Sequence, residues 1–174
     1  TYSVGTDGSW KLVDASKHVW KFESGNGVAV TGWANLAYNY NGERRVETYH
    51  FRADGVMDSG WFKDESGRWF YMSEEHDGFF GRLVRGWYKS AADNRWYYLS
   101  TADGHMITGW NKVSDVWYYL SPQNNEAPTW RYNEAQAKWE FIGNDVRPLG
   151  SMYQNERTPD NYFVNESGAW VEGR

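Results

Sequence analysis

The chain has 174 residues, a net charge of −5 and a pI near 5.4, and its 12 Trp, 13 Tyr and 8 Phe outnumber its 13 Val, 6 Leu and 2 Ile. An acidic balance argues against a nucleic-acid surface, which needs an excess of Lys and Arg to displace counterions. Zero cysteines exclude a disulfide framework, a thiol nucleophile and a cysteine zinc site. No apolar run approaches the ~20 residues of a membrane span, no signal peptide is read at the start of the sequence, and the lack of an initial Met gives the expectation of a fragment or a processed chain. Aliphatic content this low warns of disorder only when net charge is high. Here rings supply the burial, since each Trp or Tyr buries roughly 150–250 Å² when packed.

In chain order Trp20-Lys21-Phe22, followed by Gly27 and Thr31-Gly32-Trp33, reads as a partial repeat unit, and Trp10 is assigned to one earlier still. Gly-Trp recurs at Trp33, Trp61, Trp87 and Trp110, at intervals of 28, 26 and 23 residues. A turn glycine stands six residues before three of these tryptophans, at Gly27, Gly55 and Gly104; before Trp87 a longer segment, Ser73 to Gly81, takes its place. A second aromatic cluster follows each later Gly-Trp: Trp69-Phe70-Tyr71-Met72, Trp96-Tyr97-Tyr98-Leu99 and Trp117-Tyr118-Tyr119-Leu120. Thr48-Tyr49-His50-Phe51 occupies the same slot with Thr in place of Trp.

Aromatic β-formers around a polar turn such as Ala92-Asp93-Asn94-Arg95 predict a β-hairpin. Strand alternation puts Trp96 and Tyr98 on one face and Tyr97 and Leu99 on the other, so Tyr97, Tyr118, Leu99 and Leu120 are assigned to packing. A lone hairpin of this size is not stable in water. The units must therefore stack, and the predicted fold is all-β, a solenoid of stacked β-hairpins. One domain is expected over 1–174: divergent repeats in 1–59, well-matched repeats in 60–121, and divergent repeats with a C-terminal capping hairpin in 122–174. Thr129-Trp130-Arg131-Tyr132 and Trp139-Glu140-Phe141 are read as divergent echoes, and Thr158 to Trp170 as the closing hairpin.

Catalytic signals are weak. Asp7, Asp54, Asp77 and Asp103 each precede glycine, which is turn chemistry. Glu74-Glu75-His76-Asp77 lacks the spacing of a metal site, and His18, His50, His76 and His105 are scattered singly. No enzyme activity, metal or cofactor is expected.

Gly86-Trp87-Tyr88-Lys89, Trp96-Tyr97-Tyr98-Leu99 and Asp103-Gly104-His105-Met106-Ile107-Thr108-Gly109-Trp110 closely resemble the cell-wall-binding, or choline-binding, repeats of Gram-positive bacterial surface proteins. Thr158-Pro159-Asp160-Asn161-Tyr162 is similar to the final hairpin of such proteins, with Asn161 where Gly usually stands. The resemblance implies a secreted, surface-bound module that recognises choline on teichoic acid or a related cell-wall polymer, with a further functional domain outside the sequence. It also implies aromatic cages between successive hairpins. Carried over, Trp87, Trp96 and Tyr119 form one cage with Met106 near its edge, and Trp61, Trp69 and Tyr98 form a second. Trp110 and Trp117 begin a third, with Tyr132 as a guess for its closing wall. The unit around Thr48 is expected to lack a cage, and tryptophans outside 60–120 are read as core. A quaternary ammonium has no N–H to donate, so ring faces are the natural means of holding it. Alternatives left open are a carbohydrate-binding module for glucan or host glycan, a wall hydrolase whose catalytic part lies elsewhere, and a structural spacer.

Overall fold

The computed structural model describes residues 2–4, 8–123, 125–133 and 135–173, with backbone alone at 2–4, 39–40, 125–133 and 139–146. Asp7 and the side chain of Tyr132 therefore lie outside the described residues. Among the described residues there is no helix, and fifteen strands are arranged almost entirely as antiparallel pairs. Two compact units divide the chain, Thr1–Val84 and Arg85–Arg174, with the break inside the run of well-matched repeats expected over 60–121.

In the first unit β2 (Ser9–Asp14) pairs with β3 (Val19–Glu23), β4 (Gly32–Tyr40) with β5 (Glu43–Phe51), and β6 (Gly60–Lys63) with β7 (Trp69–Met72). A short strand, β1 (Tyr2–Val4), adds to β4 in parallel. In the second unit the hairpins are β8 (Gly86–Lys89) with β9 (Trp96–Leu99), and β10 (Gly109–Val113) with β11 (Val116–Leu120). They are followed by β12 (Asn125–Asn133) with β13 (Lys138–Arg147), and by β14 (Glu156–Arg157) with β15 (Phe163–Val164). The β10–β11 turn has Ser114 and Asp115 both at positive φ, 50° and 66°, the type I′ geometry that matches strand twist. Asn161, at φ 71°, takes the left-handed conformation expected from its place in the closing hairpin.

Stacking within each unit has a repeated mechanism. After a hairpin, the chain makes a left-handed turn at glycine and returns two residues later to bridge the end of the same hairpin. Met57, Leu83, Met152 and Trp170 follow Gly55, Gly81, Gly150 and Gly168 in this way and bridge Phe51, Met72, Leu120 and Val164. Each of the four then donates its N–H to the preceding hairpin, at the carbonyl of Trp20, Thr48, Trp96 or Trp117, over 2.7–2.9 Å. The rule confirms the hairpin solenoid within each unit. It also shows that Gly81 keeps the turn position before Trp87, with the 74–80 loop inserted ahead of it. The same rule corrects the reading of 129–141 as echoes of the repeat. Leu120 bridges Met152 directly, so β12–β13 is a long hairpin inserted within one unit of the stack.

The core of the first unit is Phe22, Val30, Ala34, Leu36, Tyr49, Phe51 and Met57, with a second cluster of Phe70, Met72 and Leu83. In the second unit Tyr119, Tyr153 and Val164 cluster under Trp110 and Trp170. Tyr97, Leu99 and Leu120 are buried as alternation predicts. Burying one ring removes roughly 150–250 Å², a gross gain of about 4–6 kcal/mol at ~25 cal/mol per Å². Rings can thus replace the missing aliphatics.

Candidate functional site

The register fixes which rings meet. Antiparallel pairing sets Trp87 opposite Tyr98 and Trp110 opposite Tyr119. Tyr98 accordingly packs on Trp87 at 4.9 Å between ring centroids, and Tyr119 on Trp110 at 5.1 Å. Tyr119 is only 8% exposed and also meets Tyr153 at 4.9 Å, so it is core of its own hairpin rather than a wall for Trp87. The ring that closes on Trp87 is Tyr118, at 4.8 Å and 73°. This corrects two sequence expectations, Tyr119 as cage wall and Tyr118 as packing. The reason is that a hairpin offers the preceding one the face bearing its middle ring, and the neighbouring position faces its own cross-strand partner.

Trp87 and Trp96 stand nearly perpendicular, 6.3 Å apart. With Tyr118 they wall a cavity of about 340 Å³ that is completed by Met152, Gln154, Glu166 and Ser167. Met106 is not in this lining. It lies against Gly150, and the methionine of the pocket is Met152.

Trp110 and Trp117 wall a second cavity, of about 400 Å³, with Asp160, Tyr162 and Trp170. Tyr162 meets Trp110 at 5.7 Å and 87°, so the third wall comes from the closing hairpin, and Trp170 fills the position that Met152 holds in the first cavity. The Trp110 indole Nε1 donates to Asp160 Oδ2 over 2.9 Å, and the Thr158 hydroxyl donates to Asp160 Oδ1. Burial alone would raise the Asp160 carboxyl, but these two donors hold it below the usual carboxylate range. The pocket thus keeps an anion at its rim at neutral pH.

In three hairpins the second tryptophan has a cation at its ring. Lys63, Lys89 and Lys112 stand opposite Trp69, Trp96 and Trp117 in register, with Nζ 5.8–5.9 Å from the ring centroid. These lysines steady the walls by cation–π attraction. Trp61 packs on Tyr71 at 5.1 Å within the first unit, whereas Tyr98 belongs to the second. Trp33 meets Phe70 at 4.9 Å and packs on the Phe70–Met72–Leu83 cluster, while Thr48 donates its hydroxyl to Asn35 Oδ1. The slot that Thr48 occupies has no ring to offer.

One pocket was not foreseen in the sequence. Trp10 and Trp20 stand 6.2 Å apart at 90°, and Tyr49 meets Trp10 at 5.0 Å and 71°. His18, His76, Gly78 and Phe80 complete a cavity of about 350 Å³. The signal was present but disguised. Trp10 follows Ser9 rather than glycine, and a bulge between Leu12 and Asp14 lengthens the Trp-to-Trp spacing to ten residues, from the nine between Trp87 and Trp96.

The aspartates before glycine are turn residues. Asp54, Asp77 and Asp103 each accept the N–H two residues on, from Val56, Phe79 and His105. Among the described residues no group of three His, Asp or Glu could hold a metal ion.

Residues 86–106 and 108–123 match the family model of a putative cell wall binding repeat. No curated protein matches the chain. Among solved structures, the chain is similar to choline binding protein F from Streptococcus pneumoniae, with 29% identity over 94% of this chain and 47% of that one and a TM-score of 0.52. It is similar to the same protein in the presence of a peptidoglycan analogue, a tetrasaccharide-pentapeptide, with 29% identity over 94% of this chain and 46% of that one and a TM-score of 0.51. CbpJ from Streptococcus pneumoniae shares 28% identity over 94% of this chain and 48% of its own, with a TM-score of 0.51. The chain spans about half the length of these relatives.

Proposed function

We propose that this chain, whose repeats over residues 86–123 are of the choline-binding, cell-wall-binding family, is a non-catalytic module that anchors to a bacterial surface by holding choline of teichoic acid. The two ring pockets of the second unit take the quaternary ammonium. The observation that carries this reading is that three rings wall each cavity, Trp87, Trp96 and Tyr118 in one and Trp110, Trp117 and Tyr162 in the other. Several rings lining one cavity can offer π surface to a compact cation from more than one side. A sugar, by contrast, stacks flat on one open ring. Among the described residues neither lining contains Lys or Arg, although Lys89 and Lys112 stand by the wall rings Trp96 and Trp117, and each lining contains a carboxylate, Glu166 or Asp160. Similarity to choline binding protein F supports the ligand class.

At about 1 kcal/mol per ring, three rings and a rim carboxylate reach roughly the millimolar range. A polymer engaging several pockets at once gains the rest by effective concentration. The test is a calorimetric titration with choline beside one with a neutral cell-wall disaccharide. Choline should bind with at least two sites and quench tryptophan fluorescence. Binding of the disaccharide with no response to choline would replace this reading with the carbohydrate one. Release of soluble fragments from purified cell wall by the chain alone would refute the non-catalytic role.

A further inference from the structure

We propose that Arg147 and Glu156 are positioning residues for the ligand: their ion pair holds the 147–156 segment where it completes both ring pockets of the second unit, although neither residue lines either pocket. The proposal rests on the choline reading above. Arg147 is the last residue of the inserted hairpin β12–β13, and Glu156 opens β14. Both are buried, at 5% and 9% exposure, and the pairing is two-pronged: Nη1 stands 2.8 Å from Oε1, and Nη2 donates to Oε2 over 3.0 Å. The same guanidinium lies 3.7 Å from the centroid of the Tyr153 ring. A planar fork held by both a carboxylate and a ring face fixes orientation as well as distance.

The segment between the two charges serves both pockets. Met152 donates its N–H to the Trp96 carbonyl over 2.8 Å and lines the Trp87 cavity. Gln154 lines it too, and its Nε2 donates to the carbonyl of Glu166, a third residue of that lining, over 2.9 Å. Tyr153, between them, donates its N–H to the Tyr119 carbonyl and packs on the Tyr119 ring at 4.9 Å, and Tyr119 backs Trp110 at 5.1 Å. Glu156 pairs with Val164 across β14–β15, and the turn joining those strands carries Asp160 and Tyr162, which line the Trp110 cavity. One clip between residues nine apart thus sets two lining residues of the first cavity and the backing of the second.

Stability alone is a poor reason for this pair. The cost of taking both charges out of water offsets most of their attraction, and apolar side chains of similar volume commonly serve a fold as well. Arg147 Nε is also buried and has no hydrogen-bond partner among the described residues, which adds to the cost. What apolar residues do not supply is the direction of the fork. Closing the ends of a segment removes conformational freedom from the residues between, so the pockets are shaped before the ligand arrives.

The experiment is choline calorimetry beside thermal melting on the full chain as wild type, Glu156→Gln, Arg147→Lys and the apolar double variant Arg147→Met/Glu156→Leu, each titrated at the same interval below its own melting midpoint. The double variant should melt within a few degrees of the wild type. Its choline affinity should nevertheless fall on the order of fivefold at both sites, the worth of about one ring contact each. Arg147→Lys keeps the charge without the fork and should weaken both sites, whereas Glu156→Gln, of the same shape and still able to accept from the fork, should keep most of the affinity. A double variant that binds as the wild type does, or a series in which affinity only follows the melting midpoint, would overturn the proposal. If the double variant does not fold, equal affinities in Arg147→Lys and Glu156→Gln would overturn it. Absence of choline binding by the wild type would instead overturn the choline reading and this one with it.

Discussion

Tyr118 and Tyr119 are adjacent, but the structure assigns them opposite duties, and substituting each with leucine separates the two. Tyr118 is half-buried and is one of three ring walls around the Trp87 cavity. Losing one cation–π wall costs the site about 1 kcal/mol, roughly fivefold in affinity. Tyr119 is 8% exposed between Trp110 at 5.1 Å and Tyr153 at 4.9 Å. Truncating a buried ring and losing two aromatic contacts costs the fold about 2–4 kcal/mol. For a chain of this length that lowers Tm by roughly 5–15 °C. Calorimetric titration with choline and thermal melting by circular dichroism read the two effects. Tyr118→Leu should weaken one site and leave Tm within a few degrees, whereas Tyr119→Leu should lower Tm and leave that site's affinity unchanged below the melt. The reverse pattern, with the site lost in Tyr119→Leu and kept in Tyr118→Leu, would refute the assignment of walls from hairpin stacking.

Further consequences concern the glycine turns, the buried ion pair and the rim carboxylate. A Cβ at Gly168 would meet Met152 Sδ at 2.5 Å, at a φ of 86°. Gly168→Ala should therefore cost about 2–4 kcal/mol and disturb the Trp87 pocket through Met152, whereas Gly27→Ala, with open space around it, should cost only the ~1–2 kcal/mol of a left-handed alanine. Arg147 and Glu156 are both buried, with Nη1 and Oε1 2.8 Å apart, and Arg147 also stands over the Tyr153 ring. Burial pushes the Glu156 carboxyl up despite Arg147, so Arg147→Met should destabilise by about 3–5 kcal/mol near neutral pH. A carboxyl raised in the folded state favours folding at low pH and opposes it as pH rises, so urea melts should show the Arg147→Met deficit shrinking in acid. Asp160 is held low, so its help to a bound cation should persist at neutral pH and fade only as pH falls through its lowered range. Asp160→Asn should weaken the Trp110 pocket several-fold at pH 7, with no such acid limb in the titration.

Much of this protein is legible in its sequence because a short repeat fixes local geometry. Aromatic strands around a polar turn, Gly86-Trp87-Tyr88-Lys89 and Trp96-Tyr97-Tyr98-Leu99 about Ala92 to Arg95, predict a hairpin, and β8 and β9 pair there. Period-two alternation likewise predicts the burial of Tyr97, Leu99 and Leu120. Alternation says which residues share a face, but not which face meets the neighbouring hairpin; hence Tyr118 and Tyr119 exchange the roles expected of them. The Trp10 pocket was hidden for a related reason. A bulge changed the spacing without changing the ring geometry, and its other walls come from Tyr49, His76 and Phe80, far along the chain.

The excess of rings over aliphatics, the spacing of the glycines and the Trp-Tyr-Tyr-Leu strands determined by themselves an all-β stack of hairpins with an aromatic core. Those features act through backbone conformation and strand alternation, which are local. Only the tertiary structure decided which rings line cavities, that Tyr162 and Trp170 of the closing hairpin complete the Trp110 pocket, and that β12–β13 interrupts the stack. These depend on hydrogen bonds such as Met152 N–H to Trp96 C=O and Trp170 N–H to Trp117 C=O. Such bonds join residues more than fifty positions apart, and no sequence period records them.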